Sequence, residues 1–484
     1  MHKTIFKFFY LLHLICKYNL SFCIKKNNLL KFILQFFAIF YVFYWYKQKT
    51  SIRLRKSIQE MGIIYIKFAQ HICSFSNYLD IDTIHELKLL QTKLPCININ
   101  YINTMLKQEL GTKLKDILNL NPIPIGVASI AQVHKAELLF RQNNINSSNI
   151  NNNEDFIFQD NYIKPIKKTI AIKIIKPLVK QQYQNDINFL YNIAKILNFF
   201  SNKVKRFNLF STIQIFESSM QNEINLLSEA SACITMKKQN IKNLIIPKIY
   251  LRYSTENILV MDFIDGVNID TAIKNKNNYN LQLIAKNLAW IFFTQSYHNG
   301  FFHADMHEGN ILILPDNKIA LLDFGIVGEL KNKDKIAVTQ ILQGFLECNY
   351  KKIAAIHYYA GYIPKDTNLI DFEIAIAKIG ELIVNKKMHQ ISISLLLKNL
   401  LNVTKSFNMQ VQPQLILLQK TTLSLEELIK TLDPNLNPWE LATPWIQSWA
   451  KTYISPCAIL KRYIKQQIKN IFSLKGIFNT YEED

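Results

Sequence analysis

The strongest constraint on how this chain can fold is a pair of short motifs, FFHADMHEGNIL at 301–312 and IALLDFGIV at 319–327. Asp305 and Asn310 lie five positions apart in the first motif, and Asp323 follows Asp305 by 18 positions. Two carboxylates and an amide at this spacing supply hard oxygen ligands for Mg²⁺ and a base for an attacking hydroxyl group. We therefore predict that Asn310 and Asp323 are metal ligands and that Asp305 is the catalytic base. The second motif also has the pattern of a short buried strand that ends in a turn.

The two motifs have the order and spacing of the catalytic loop and the DFG motif of protein kinases. Upstream, AIKIIKP places Lys173 within an apolar strand, as in the kinase strand whose lysine holds the α and β phosphates of ATP. A predicted helix, EINLLSEA, carries Glu223 and Glu229, which point about 120° apart and therefore need different partners. We predict an ion pair between Lys173 and Glu229. His303, at the histidine position of the catalytic loop, is predicted to support that loop by packing.

A phosphate-binding loop is predicted at 125–133, where the sequence has the GxGxxGxV spacing with alanine at the second and third glycine positions. Small residues let backbone N–H groups approach phosphate oxygens, although alanine is more restricted in φ than glycine. Without Lys173 downstream, the same segment would be read as an ordinary hairpin. The predicted loop consists of Ile125, Gly126, Val127, Ala128, Ser129, Ile130, Ala131, Gln132 and Val133.

The order of these elements predicts an α+β, bilobal protein-kinase-like fold. We place a small β-containing N-lobe at 121–266 and a larger helical C-lobe, with the catalytic loop and the DFG motif, at 267–484. Apolar residues at three-and-four spacing predict a helical extension at 51–120. The segments IPKIYLRY and NILVMDFIDG are strand-like. An Asn-rich stretch near 142–162 has few apolar residues to bury and is predicted to be a surface insertion in a hairpin.

Residues 1–50 form a basic, aromatic segment, and the first acidic residue of the chain is Glu60. The apolar run from Phe36 to Tyr46 is shorter than the roughly 20 residues that a membrane-spanning helix needs. Its aromatic content and flanking lysines favour a helix that lies in the membrane interface, and the alternative is a helix whose aromatic face packs on the protein.

The net charge of +21 makes an anionic partner expected, and phospholipid, nucleotide and nucleic acid are the candidates. No zinc-finger spacing or single-strand-binding aromatic signature is present, so we predict no nucleic-acid partner. The seven cysteines form no CxxC pair, which is typical of a chain in a reducing compartment.

Further motifs narrow the kinase resemblance. The segment KFAQ at 67–70 resembles the KxGQ motif of UbiB-type proteins, which ordinary kinases lack. The segments MGIIYIKFAQ, LLQTKLP, ASIAQVH and FFHADMHEGN, and the C-terminal run that begins FNMQVQPQ, are also similar to bacterial UbiB members. The resemblance extends from about residue 51 to about residue 460. The sequence is identified as a member of the UbiB family of atypical kinase-like proteins.

The resemblance implies an atypical kinase or ATPase that binds Mg-ATP and supports or regulates ubiquinone biosynthesis at a membrane. The implied location is the cytoplasmic face of a bacterial inner membrane, or an organellar inner membrane. The implied partners are anionic membrane lipid and ubiquinone-pathway enzymes or lipid intermediates.

In this family the KxGQ helix covers the nucleotide cleft. The resemblance therefore implies that Lys67 pairs with Glu223 and that Gln70 faces the phosphates. Two positions depart from the family pattern. Ala69 stands where KxGQ has glycine, and Asn225 stands where many eukaryotic members have aspartate.

Two other functions compete with the kinase or ATPase hypothesis. A lipid-associated pseudokinase scaffold that uses nucleotide as a structural ligand is favoured by the alanine-substituted loop and the covering helix. A small-molecule kinase of the choline or aminoglycoside type shares a similar catalytic loop and metal site, but such kinases lack the KFAQ helix.

Overall fold

The computed structural model describes residues 2–20, 35–73, 81–90, 96–128, 130–140, 166–200, 209–384, 413–436 and 438–453, with a few single positions between 399 and 409. These residues fall into two compact units, Met1–Ile234 with Pro247–Ile264, and Thr235–Ile246 with Asp265–Asp484. The predicted Asn-rich insertion and Ser129 of the predicted phosphate loop lie outside the described residues.

Helices dominate both units, and the strands are short except for one long hairpin. The helices are α1 (His2–Lys17), α2 (Val42–Trp45), α3 (Thr50–Met61), α4 (Ile63–Cys73), α5 (Ile81–Lys88), α6 (Ile99–Leu110), α7 (Pro177–Phe200), α8 (Leu209–Glu223), α9 (Leu226–Lys238), α10 (Ile269–Lys274), α11 (Leu281–Phe293), α12 (Asn332–Leu346), α13 (Tyr350–Tyr359), α14 (Leu369–Val384), α15 (Pro413–Leu432) and α16 (Pro438–Tyr453). The strands are β1 (Ile117–Leu118), β2 (Gly126–Val127), β3 (Ala131–Phe140), β4 (Ile166–Ile175), β5 (Leu244–Ile245), β6 (Ile258–Asp262), β7 (Phe301–His303), β8 (Ile311–Ile313), β9 (Ile319–Leu321) and β10 (Val327–Glu329).

In the extension predicted at 51–120, most of the described residues up to Leu110 belong to four helices, α3 to α6. Gly62, with φ of +113°, separates α3 from α4, and a residue with a side chain rarely adopts that backbone conformation. Gly111, with φ of +54°, ends α6, and a 3₁₀ turn over Gly111–Asp116 then leads into β1. Helix α4 is apolar on one face, where Ile64 is fully buried against α7 and α8.

Helix α1 is fastened to the extension by ion pairs and hydrogen bonds. Lys17 Nζ donates to both carboxylate oxygens of Glu60 at 2.9 Å, and Tyr18 Oη donates to the same carboxylate. Lys7 pairs with Asp186 of α7, and the buried Tyr65 hydroxyl also donates to Asp186, at 2.9 Å. Burial and the neighbouring carboxylate raise the pKa of Tyr65 above its usual range, so the phenol remains the donor.

The sheet of the first unit is antiparallel, with the strand order β1-β3-β4-β6 and with β2 paired to the start of β3. Side chains alternate between the two faces of a strand. Ile170, Ile172 and Ile174 of β4 are fully buried in one core with residues of α6 and β6. Lys173 lies on the opposite face of β4, where Ile175 packs with Leu226 and Ala230 of α9. The alternation of β4 therefore directs Lys173 toward α9.

The strand-like segment IPKIYLRY is not a strand in the structure. Ile249 makes a single bridge to Met261, and a 3₁₀ turn over Leu251–Tyr253 follows. The turn is favoured because Tyr253 is buried and its hydroxyl donates to Asp116 Oδ2 at 2.8 Å. The NILVMDFIDG segment does contain a strand, β6.

The second unit is built around α11, whose apolar residues include the fully buried Ile284, Leu288 and Phe292. Thr294–Asn299 continue α11 as a π-helical turn, and Gly300 ends that turn with φ of +77°. Two small sheets then hold the polar motifs: β5-β9-β8, and β7 paired with β10. Gly328 of β10 lies so close to Phe302 of β7 that a Cβ would fall 2.2 Å from its ring. The segment before Asp323 is the buried strand β9, as predicted.

The aromatic run from Phe36 to Tyr46 is helical only in short pieces. A 3₁₀ turn over Ile39–Tyr41 precedes the single turn of α2, and Trp45 Nε1 donates to the Ala38 carbonyl. With the α-helical residues 35–38, the run that we predicted to be an interfacial helix is helical from 35 to 45, with a 3₁₀ turn in its middle. Among the described residues, no helix combines the length and the apolar character needed to cross a membrane.

Candidate active site

Lys173 and Glu229 form the ion pair that the sequence predicts. Lys173 Nζ donates to both carboxylate oxygens of Glu229 at 2.8 Å. The side chains are 10% and 3% exposed, so both charges are largely removed from water. Removing either partner of a desolvated ion pair would leave the other charge buried and uncompensated, which is strongly unfavourable. The pair therefore fixes the lysine ammonium on the face of β4 that meets α9.

The helix that supplies Glu229 is capped by Asn225. The side-chain oxygen of Asn225 accepts the Leu227 backbone N–H at 3.0 Å, at the first turn of α9. Asparagine is among the residues that favour such capping positions. The asparagine that departs from the eukaryotic family pattern thus has a local structural role in this chain.

The predicted phosphate loop is the turn between β2 and β3. Ile125 N–H donates to the Val133 carbonyl at 2.8 Å, and Ala128 N–H donates to the Ala131 carbonyl at 2.9 Å. Ile125, Val127 and Ala128 are exposed at the tip, whereas Ile130 and Ala131 are buried. A Cβ added to Gly126 would meet no atom within 4 Å, so the chain itself leaves room there.

Gln132, which we placed in the phosphate loop, has its side chain turned into the protein. It is fully buried, and its Oε1 accepts the Ile97 N–H at 2.8 Å. Its Nε2 lies 2.7 Å from Nε2 of the buried His134. Only the backbone of Gln132 therefore belongs to the turn.

Lys176 is a loop residue that the sequence reasoning missed. Its Nζ donates to the Ala128 carbonyl at 3.0 Å, and its N–H donates to the Ile130 carbonyl at 2.8 Å. Burial lowers the pKa of this lysine. The residue braces both ends of the loop tip. The only signal in the sequence was the second lysine of AIKIIKP, which a kinase template does not use.

The KFAQ segment lies on α4. Lys67 pairs with Glu223 at the end of α8, as the family resemblance implies. Gln70, expected to face the phosphates, instead donates its side-chain amide to the Leu90 carbonyl at 2.9 Å, just beyond the end of α5. Ala69 is buried and packs with Ile66, Leu87 and Leu90. The methyl group that replaces the KxGQ glycine is therefore part of an apolar contact within the extension.

In the second unit, the catalytic-loop motif is folded around the Asp305 backbone. Asn310 Nδ2 donates to the Asp305 carbonyl at 3.0 Å. That bond directs the amide nitrogen of Asn310 inward, which makes its Oδ1 the atom available to coordinate a cation. The His307 N–H also donates to the Asp305 carbonyl, at 3.0 Å. Asp305 itself keeps a carboxylate that is 31% exposed.

His303 links the two motifs. It is fully buried, its Nδ1 accepts the Asp305 N–H at 3.2 Å, and its Nε2 donates to the Asp323 carbonyl. Burial lowers the pKa of His303, which favours the neutral ring with its proton on Nε2. Its ring also makes an edge contact with Phe324, with centroids 5.5 Å apart. Asp323 Oδ1 accepts the Gly325 N–H at 2.9 Å, which orients the carboxylate.

Asp305 has two cationic or potentially cationic neighbours that the sequence reasoning did not assign. His307 Nε2 lies 3.6 Å from Asp305 Oδ2, and Lys420 Nζ lies 3.1 Å from Asp305 Oδ1. Lys420 comes from α15, 115 positions further along the chain. No local pattern predicts such a contact, because it depends on how α15 packs.

The donor atoms fit magnesium. Among the residues that the structure describes, no group of three or more His, Cys, Asp or Glu side chains is arranged to hold a metal ion. Mg²⁺ is commonly held by one or two protein oxygens together with water and substrate phosphates. The Asp323 carboxylate and the Asn310 amide oxygen are donors of that type.

Comparison with known proteins identifies the family. A model of the ABC1 atypical kinase-like domain matches residues 89–145 and 164–357, and a model of the UbiB helical domain matches residues 376–437. A probable protein kinase UbiB of Aliivibrio fischeri is 32% identical over 86% of this chain and 74% of its own length. The chain belongs to the UbiB family. Another UbiB protein, from Blochmanniella pennsylvanica, is 34% identical over 82% of this chain and 70% of its own length.

A solved structure of similar fold supports the architecture. A Mycobacterium tuberculosis protein, solved in complex with erythromycin, matches with a TM-score of 0.51 at 19% identity. The match covers 79% of this chain and 91% of that one. The predicted membership of the UbiB family and the predicted kinase-like α+β fold are thus both confirmed.

Proposed function

We propose that this UbiB protein binds Mg-ATP and acts as a phosphotransferase or ATPase that supports ubiquinone biosynthesis at a membrane. The observation that carries the proposal is the buried pair of Lys173 and Glu229. A buried ion pair commonly stabilises a fold no better than apolar residues of the same size would. Lys173 lies at the strand position whose lysine binds the ATP phosphates in kinases. The buried pair is therefore better explained by a function than by stability.

Each polar group of the proposed site would have a separate role in the reaction. Lys173 would neutralise the α and β phosphates, and Asn310 with Asp323 would hold Mg²⁺, which neutralises charge on the β and γ phosphates when bound. Asp305 would accept the proton of the attacking hydroxyl group or water. His303 would keep the Asp305 and Asp323 segments in register, because it bonds to both backbones.

A pseudokinase scaffold is the second candidate, and one contact favours it. The Ala128 N–H, at the tip of the phosphate loop, already donates to the Ala131 carbonyl at 2.9 Å. A loop whose amide is satisfied internally has one donor fewer for phosphate. Nucleotide binding without phosphate release would favour the scaffold, whereas turnover that requires Mg²⁺ would exclude it.

The pathway assignment is tested in a bacterial strain that lacks its own UbiB. We expect this chain to restore the ubiquinone content, measured in lipid extracts, and Asp305→Asn at equal protein level to restore at most about a tenth, because loss of a general base typically costs at least a hundredfold in rate. Equal restoration by both forms would show that ubiquinone synthesis does not need the proposed chemistry. No restoration by the wild type would contradict the pathway assignment.

The membrane part of the proposal rests on aromatic residues near the N-terminus. Phe40 is 72% exposed and Phe43 is 93% exposed, and on α1 Phe6 and Phe9 are 73% and 64% exposed. Apolar side chains this exposed are typical of interaction surfaces. The net charge of +21 favours anionic lipid as the partner. We propose that the enzymes or lipid intermediates of the ubiquinone pathway are met at this membrane surface, on the cytoplasmic side.

The double substitution Phe40→Ser with Phe43→Ser should weaken binding to phosphatidylglycerol vesicles at least about tenfold, since each buried phenyl ring contributes on the order of 2 kcal/mol. Co-sedimentation with vesicles measures the effect. Tyr359→Ser is the matched control, because Tyr359 is 86% exposed and belongs to the second unit. An equal loss for the control, or no loss for the double variant, would remove these residues from the membrane contact.

A further inference from the structure

Lys420 contacts the proposed catalytic base from a helix far along the chain. Its Nζ lies 3.1 Å from Asp305 Oδ1, and both residues belong to the second unit. The other oxygen, Oδ2, faces His307 Nε2 at 3.6 Å. The two carboxylate oxygens therefore have different neighbours: Oδ1 is held by an ammonium group at hydrogen-bond distance, and Oδ2 is not.

The position of Lys420 is fixed by the packing of α15. This helix contacts α11 and β10, and β10 pairs with β7, the strand that leads into Asp305. Thr421 is fully buried and Thr422 is 3% exposed, directly after Lys420. Their hydroxyls donate to the Leu417 and Leu418 carbonyls, so the polar groups of the buried face are satisfied within the helix. Lys420 thus lies at the edge of the buried face of α15, and its side chain extends from there to Asp305.

Stability does not account for the contact. The Lys420 side chain is 45% exposed and the Asp305 side chain is 31% exposed. Ion pairs with this exposure contribute little to folding, because water and salt screen them. The contact is better explained as a means of orienting the Asp305 carboxylate, since catalysis of phosphoryl transfer depends largely on the positioning of the reacting groups.

We propose that Lys420 is the positioning residue for Asp305. Its ammonium group holds Oδ1 and leaves Oδ2 to accept the proton of the attacking water or hydroxyl group. In hydrolysis, a proton of the attacking water moves to Oδ2, the water oxygen forms a bond to the γ-phosphorus of ATP, and the bond from that phosphorus to the bridging oxygen breaks with its electron pair leaving on ADP. The inference rests on the proposed phosphoryl-transfer function.

The test compares Lys420→Ala, Lys420→Arg and Lys430→Ala in steady-state release of phosphate from Mg-ATP. Lys430 is a matched control, because it lies on the same helix, is 58% exposed and pairs with Glu426 rather than with Asp305. We expect Lys420→Ala to lower kcat by about ten- to a hundredfold, the loss that follows from a misplaced reacting group. The KM for ATP should stay within about twofold, because no ground-state contact to nucleotide is removed. Lys420→Arg should retain most of the activity, and Lys430→Ala all of it.

The possible results separate the inference from the function on which it rests. Wild-type activity in Lys420→Ala, or a rise in its kcat, would overturn the positioning role while leaving the proposed function intact. Equal losses in Lys420→Ala and Lys430→Ala would also overturn it, since the cause would then be the helix and not the contact. A wild-type protein that releases no phosphate would overturn both, because Asp305 would have no proton to accept.

Discussion

Asp323→Asn is expected to reduce Mg²⁺-dependent phosphate release by at least about a thousandfold, because a metal ion at the transferring phosphate contributes several kcal/mol of charge stabilisation. The substitution keeps the shape of the side chain. An asparagine Oδ1 can still accept the Gly325 N–H, and the bond from His303 goes to the backbone carbonyl at this position, which is unchanged. The folded structure should therefore persist, and the change isolates the loss of one negative charge at the proposed metal ligand.

Asp316→Asn is the matched control. Asp316 lies between β8 and β9, its side chain is 52% exposed, and it pairs with Lys318, so the same change of charge falls outside the proposed site. Phosphate release and Mg²⁺-dependent binding of a fluorescent ATP analogue are measured for both variants. The control should behave as the wild type does. If Asp323→Asn kept more than about a tenth of the activity, Asp323 would not be an essential metal ligand.

Local periodicity explains which parts of the site could be predicted from the sequence. The β-strand period places Lys173 opposite the Ile172 and Ile174 core. Glu223 and Glu229, which we predicted to share one helix, lie on two: Glu223 ends α8, and Glu229 belongs to α9, which starts after the Asn225 cap. The strand alternation and the kinase order of the motifs were sufficient to pair Lys173 with Glu229, whereas the pairing of Lys67 with Glu223 came from the family resemblance. Both contacts are present in the structure.

Contacts between distant elements could not be predicted in this way. The sequence left Lys420 unassigned because the approach of α15 to Asp305 is set by packing on α11 and β10. Gln70 was expected at the phosphates, but the Leu90 carbonyl beyond α5 accepts its amide. Gln132 was placed in the loop by motif spacing alone, and the motif contains no information on the Ile97 backbone that holds its side chain. For Gln70 and Gln132, a backbone group elsewhere in the chain needed a hydrogen-bond partner.

The apolar and aromatic segments were harder to predict for a different reason. The IPKIYLRY segment has the composition of a strand, yet Tyr253 is turned inward to Asp116 and the backbone becomes a 3₁₀ turn. β-branched and aromatic residues are common in strands because they pack well on a half-buried surface, and not because their backbone strongly prefers the strand conformation. The same composition therefore fits a buried turn.

The second large expected effect concerns the buried pair of Lys173 and Glu229. Substitutions there distinguish the contribution of the pair to stability from its contribution to nucleotide binding. Glu229→Ala should destabilise the first unit by about 3–5 kcal/mol, because it leaves the Lys173 ammonium buried without its partner carboxylate. That loss is a large fraction of the total stability of a typical domain. Hydrogen exchange of the β4 amides measures it in the first unit alone, since the two units need not unfold together.

The double variant Lys173→Met with Glu229→Leu should recover most of that stability, because apolar side chains of similar volume often replace a buried ion pair without cost. It should nevertheless fail to bind Mg-ATP, because the buried ammonium group at position 173 that would meet the phosphates is gone. Lys168→Ala is the control on the same strand: its side chain is 41% exposed, and its partner Asp262 keeps the Tyr250 hydroxyl as a donor. That variant should lose less than about 1 kcal/mol. A double variant that still bound Mg-ATP like the wild type would mean that the pair serves the fold alone, and the observation that carries the proposed function would then support a scaffold instead.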